Sequence, residues 1–91
     1  MDWLELPPLN GLKAFSAVAE CGSFTEAGAR LRVTQAAVSQ QVKALEEALG
    51  VALVARNGRG IVLTGEGARL ARGLARGFAT IQKSVEELTG A

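Results

Sequence analysis

The sequence predicts a mostly α-helical fold with one small β-hairpin, and three observations carry that prediction. Apolar side chains recur at three- and four-residue steps in four separate stretches, the period of helices that bury one face. Capping residues bracket these stretches, with Ser23, Thr34 and Thr64 in front and Gly22 and Gly50 behind. The pattern breaks from Val51 to Thr64, where β-prone residues surround Asn57-Gly58-Arg59-Gly60. Asn and Gly accept positive φ, so that tetrad is a hairpin signal.

The elements follow in order. Pro7-Pro8 cannot lie inside a helix, and Asn10 is the expected cap of helix 1. Leu12, Phe15, Val18 and Ala19 give helix 1 its apolar face, and Gly22 ends it. Ser23 starts helix 2 with Glu26 three residues on, the capping-box pattern. Phe24, Ala27 and Leu31 point inward. Gly28 costs about 1 kcal/mol against Ala within a helix, so it marks either a close helix–helix contact or a neutral variation. Arg32-Val33 forms a turn, and Thr34 caps helix 3. There Val38, Val42, Leu45 and Leu49 make a narrow apolar stripe, with Ala36, Ser39, Gln40, Lys43 and Glu47 on the other side. Gly50 stops helix 3.

Strands are expected at Val51 to Ala55 and Ile61 to Leu63. Thr64 then caps a long helix reaching about Leu88. Its apolar residues Leu70, Leu74, Phe78, Ile81, Val85 and Leu88 are spaced 4, 4, 3, 4 and 3, and from Leu74 onward this is the step of a coiled-coil seam. Gly73 and Gly77 weaken that helix while letting a neighbour approach closely. The order is that of a winged helix-turn-helix, a three-helix core plus a short hairpin wing over residues 1–64, followed by a linker or dimerisation helix over 65–91.

Bulk properties narrow the function. Ninety-one residues, 48% apolar and 21% charged, make one globular domain. A single cysteine excludes an internal disulfide framework and fits a reducing cytosol; Cys21 reads as a small buried apolar residue. Histidine is absent, which removes the usual general base and leaves Ser39 without a partner as a nucleophile. There is no metal-ligand cluster, phosphate loop or acid/base pair, so no enzymatic activity and no cofactor are expected. No apolar run approaches the ~20 residues that span a bilayer, so a cytoplasmic location without a membrane partner is expected. The net charge of +1 conceals an asymmetry: from Arg30 to Lys83 nine cations face three carboxylates, an excess of six. A basic centre with a small polar helix face suits the major groove of duplex DNA, which admits an α-helix.

Ser23-Phe24-Thr25-x-Ala27, Val33-Thr34-Gln35-x-Ala37-Val38-Ser39-x-Gln41-Val42, Leu45-Glu46-x-x-Leu49-Gly50-Val51, Arg56-x-x-Arg59 and Leu63-Thr64-x-x-Gly67 occur in that order. From Leu9 through about Leu70 they resemble the N-terminal domain of LysR-type transcriptional regulators. The opening LPPLNGLKAF is similar to a subgroup containing glycine-cleavage activators and β-lactamase regulators. The sequence departs from the family pattern at Val54, where Phe is usual, at Gly28, where Ala is usual, and at Ala36, commonly Ser or Pro.

The resemblance implies a DNA-binding domain of a bacterial regulator, acting on an interrupted palindrome as a homodimer, or a tetramer in a full-length protein. It implies base contacts from Gln35 and Ser39, and sequence preference from Gln40. Ala36 offers at most a methyl contact or is a small spacer. Lys43 neutralises a phosphate or pairs with Glu47. Thr34 is first a cap and contacts DNA secondarily. Arg56 holds a phosphate and Arg59 reaches the minor groove, or both simply solvate the turn. Thr64 caps the long helix, whose first amides can hold a phosphate. Antiparallel pairing of the long helix falls to Leu70, Leu74, Phe78, Ile81, Val85 and Leu88; the alternative is that this seam folds back on helix 1. Family members continue into an effector-binding domain that this segment lacks, so an excised domain that binds no effector is expected, with a naturally short paralogue as the alternative. Two other functions compete: a protein-interaction module built on the long helix, and non-specific chromosome binding.

Overall fold

A computed structural model describes residues 1–90. After a 3-10 turn at Trp3–Glu5 come α1 (Leu9–Cys21), α2 (Phe24–Leu31), α3 (Gln35–Leu49), β1 (Val54–Asn57), β2 (Gly60–Leu63) and α4 (Gly65–Thr89). The architecture is the winged helix-turn-helix expected from the sequence, with a long helix appended. No described helix is long and apolar enough to cross a membrane.

Local chemistry sets most boundaries. Ser23 Oγ accepts from the Glu26 amide at 3.1 Å, Thr34 Oγ1 from Ala37 at 3.0 Å and Thr64 Oγ1 from Gly67 at 3.0 Å. Each bond satisfies one of the amides left free at a helix start. Gly22 and Gly50 close α1 and α3 in the left-handed region, both at φ 71°. The expected cap at Asn10 is not made: α1 begins two residues earlier, at Leu9 behind Pro8. The proline carbonyl accepts from Gly11 at 3.1 Å and from Leu12 at 3.3 Å, and its ring fixes a φ suited to a helix entrance. Asn10 therefore lies inside the first turn.

The turn between α2 and α3 has an unusual backbone. Arg32 caps α2 at φ 59°, a left-handed conformation that costs a side-chain-bearing residue roughly 1–2 kcal/mol. Its amide donates to Ala29 at 3.3 Å, and the Val33 amide donates to the Gly28 carbonyl at 2.9 Å. Gly28 makes this tight return fit. A Cβ there would lie 2.9 Å from the Val33 carbonyl oxygen and 3.3 Å from the Gln35 nitrogen. The close approach is thus to the backbone entering α3, and an alanine Cβ would have to push that backbone outward.

One core unites the three short helices: Leu12, Ala14, Phe15, Val18, Ala27, Val38, Val42, Leu45 and Leu53, with no buried polar or charged side chain among the described residues. Leu49, expected in the apolar stripe of α3, is 40% exposed. Leu53, just past the Gly50 cap, is buried instead. The first strand starts three residues later than expected, at Val54, and the second one residue earlier, at Gly60. The Ala52 carbonyl accepts from the Thr64 hydroxyl at 2.7 Å, and the Leu53 carbonyl from the Thr64 amide at 3.0 Å. With those groups engaged, Val51 to Leu53 forms a strap across the head of α4 and leaves the ladder to the residues beyond. The antiparallel register runs from Val54 opposite Leu63 to Asn57 opposite Gly60. Gly58, at φ 62°, is the first of two loop residues, the position at which a II′-type hairpin needs glycine.

Candidate nucleic-acid interface

Five α3 residues singled out from the sequence, Gln35, Ala36, Ser39, Gln40 and Lys43, are all exposed. At 100° per residue they occupy an arc of about 140°. The opposite margin carries Val38, Val42 and Leu45 into the core. The polar face is therefore held outward by the same packing that fixes the helix. Lys43 forms no pair with Glu47; among the described residues the one side-chain ion pair joins Arg30 to Glu20 at 3.0 Å. Its ammonium is left for another anion.

The wing stands beside this face. A groove of about 300 Å³ runs between α3 and the hairpin, with Ser39 and Lys43 on one wall and Arg56 on the other. Phe24, Val42 and Ile61 line it from the core side. Arg59 occupies the second loop position at the hairpin tip, exposed. A polar helix face and a cationic ribbon thus share one surface. Gln35, Ala36 and Gln40 lie outside the groove lining, toward the start and flank of α3.

Two predicted site residues prove to be structurally committed. The Thr64 hydroxyl both donates to Ala52 and accepts from Gly67, so it has no proton left for a phosphate. The amides of Gly65 and Glu66 at the head of α4 remain the groups that can meet one. Thr34 accepts from Ala37 but keeps its own hydroxyl proton. Cys21, expected buried, is half-buried at the end of α1.

The seam of α4 divides. Leu70, Leu74 and Phe78 are half-buried against the core, alongside α1. Ile81, Val85 and Leu88 are 57%, 53% and 90% exposed. The fold-back alternative therefore describes the first half of the seam and leaves the second half uncovered.

Sequence reasoning missed Glu46. Its Oε2 accepts from the Leu53 amide at 2.7 Å and from the Val54 amide at 3.3 Å, tying the end of α3 to the root of the wing. Nothing in helical periodicity marks it, because its partners lie seven and eight residues away across a turn. Gly67 was missed as well. It is buried beneath Leu53, where a Cβ would overlap the Leu53 carbonyl oxygen.

Residues 9–68 match the family described as bacterial regulatory helix-turn-helix protein, lysR family. The chain belongs to the LysR family. Its similarity to the AhcY transcriptional activator HvrB of Rhodobacter capsulatus is 49% identity over 88 residues, 97% of this chain and 30% of that protein. The transcriptional activator AmpR of Providencia stuartii is 52% identical over 88% of this chain and 27% of its own length. The glycine cleavage system transcriptional activator of Escherichia coli is 55% identical over 68% of this chain and 20% of its own length. One of these relatives is a glycine-cleavage activator, a kind of regulator that the opening segment resembles. The chain spans at most 30% of the length of these three. Among solved structures, the DNA-binding domain of BenM in complex with catB site 1 DNA matches with a TM-score of 0.83 at 31% identity, covering 91% of this chain and 93% of that one.

Proposed function

We propose that this LysR-family chain binds duplex DNA sequence-specifically as the DNA-binding domain of a bacterial transcription regulator. The observation that carries the reading is the groove in which Ser39 and Lys43 of α3 face Arg56 of the wing. In this reading α3 enters the major groove. Gln35 meets adenine N6/N7, Ser39 meets base edges, Gln40 sets sequence preference and Ala36 touches at most a thymine methyl. Lys43, Arg56, Thr34 and the first amides of α4 beyond Thr64 hold phosphates, which position the helix without reading sequence. Arg59 enters the minor groove, where narrow A·T-rich stretches attract a guanidinium. BenM's DNA-binding domain, which this chain resembles in fold, is solved in complex with DNA.

Homodimerisation through α4 belongs to the same proposal. The surface is 6549 Å², whereas a compact monomer of 9.4 kDa exposes about 5,000 Å². The far end of α4 exposes the apolar Ile81, Val85 and Leu88. Pairing two copies there, with Leu70, Leu74 and Phe78 at its margin, sets two recognition helices toward successive major grooves of an interrupted palindrome. The regulator works in the bacterial cytoplasm at the nucleoid, and effector binding lies outside this segment. Titration of an interrupted palindrome with T and A ends against a scrambled duplex, at defined salt, is the test. The palindrome should bind much more tightly; equal affinity for both duplexes would falsify the reading.

A further inference from the structure

We propose that Glu46 is the positioning residue that holds the wing against the recognition helix, so that DNA contacts from the hairpin depend on a carboxylate that never touches DNA. The inference rests on the DNA-binding reading above. Glu46 is half-buried on the last turns of α3, and one of its oxygens receives two consecutive amides, Leu53 at 2.7 Å and Val54 at 3.3 Å. Those amides sit at the junction where the strap becomes β1, two residues before Arg56. The wing is a two-stranded ribbon in which each strand has one partner and one open edge, and such ribbons are marginal without outside support. From the other side the ribbon root is held by Thr64, through Ala52 and Leu53. Glu46 is the side-chain bond that references it to α3. Its charge is unfavourable for the task the groove performs, since it lines the same groove as Lys43 and Arg56. A carboxylate there repels DNA phosphates, which makes charge and positioning predict opposite results.

Three variants separate them. On charge alone, E46A and E46Q both strengthen DNA binding by removing a repulsion. If Glu46 positions the wing, E46A weakens binding and flattens the salt dependence, the slope of log K against log salt falling by about two, one for each wing arginine. E46Q retains an acceptor oxygen of the same reach and restores most of the slope. E46D keeps the charge but ends one methylene short, so it should resemble E46A; it also stands in should E46A fail to fold. Discrimination between palindrome and scrambled duplex, which belongs to α3, should change little in any of them. In the DNA-free protein, amide exchange at Leu53 and Val54 should speed up about tenfold or more in E46A and E46D while Val38 and Val42 keep their protection. Wild-type slopes in E46A and E46D, or unchanged exchange at Leu53 and Val54, overturn the proposal. A wild-type chain that binds no duplex overturns the functional reading instead, and the exchange measurement then still decides whether Glu46 anchors the wing.

Discussion

Replacing Gly67 by alanine should destabilise this protein, while the same change at Gly73, two turns along the same helix, should stabilise it. At Gly67 a Cβ would overlap the Leu53 carbonyl oxygen and lie 2.9 Å from its carbon, both backbone atoms. The head of α4 or the strap must retreat. Overpacking of this kind costs about 1–3 kcal/mol. The retreat also strains the Thr64 amide bond to Leu53 at 3.0 Å and the Thr64 hydroxyl bond to Ala52 at 2.7 Å, each worth about 1 kcal/mol. Alanine returns about 1 kcal/mol through helix propensity. The balance is a loss of about 3 kcal/mol, a fall in Tm of roughly 12–24 °C for a domain of this length. At Gly73 nothing lies within 4 Å of an added Cβ, so the propensity gain of about 0.5–1 kcal/mol stands alone. Urea unfolding followed by circular dichroism, at one low protein concentration so that self-association stays constant, measures both. If G67A unfolds at the wild-type midpoint or above, α4 does not rest on the Leu53 carbonyl and the account of the strap is wrong.

Other substitutions probe the surface and the caps. Arg59→Ala should weaken duplex binding and lower the salt slope by about one, whereas Gln40→Ala should shift base preference and leave the slope nearly unchanged; identical behaviour would refute the division between positioning and reading contacts. Thr34→Ala removes the bond to the Ala37 amide and should cost about 1 kcal/mol in urea unfolding, and Thr34→Ser should restore it. Ile81→Lys combined with Leu88→Lys, at positions 57% and 90% exposed, should leave the single-chain fold within about 0.5 kcal/mol yet convert a dimer to monomer on sedimentation. A double variant that sediments like wild type would exclude this face from the interface.

Which features could be read from the sequence follows from the range of the interactions behind them. Ser23, Thr34, Thr64, Gly22 and Gly50 act on amides and carbonyls within four residues, and all five occupy the expected cap positions. Asn10 shows the limit of that logic: it is a good cap residue, but Pro8 two positions earlier sets the helix start. The face of α3 was legible because burial of Val38, Val42 and Leu45 fixes where Gln35, Ser39 and Lys43 point. Leu53, Glu46 and Gly67 were not. Their roles depend on one irregular strap meeting α3 and α4 together, and irregular backbone has no period. The same gap moved the start of β1 to Val54. Along α4 the apolar spacing was correct throughout, but periodicity finds a stripe without saying what covers it. Here α1 half-covers Leu70, Leu74 and Phe78 and stops short of Ile81.

The contact between Gly67 and Leu53 also has a mechanical side. Helix α4 is 25 residues long, about 37 Å at 1.5 Å per residue, and its near end is wedged with no side chain as padding under the root of the wing. From Gly67 to Phe78 the rod lies along the core, and beyond it about 16 Å of helix at 1.5 Å per residue carries the exposed Ile81, Val85 and Leu88. The base of the rod and the root of the wing share one backbone contact at Leu53, so neither can be displaced without the other.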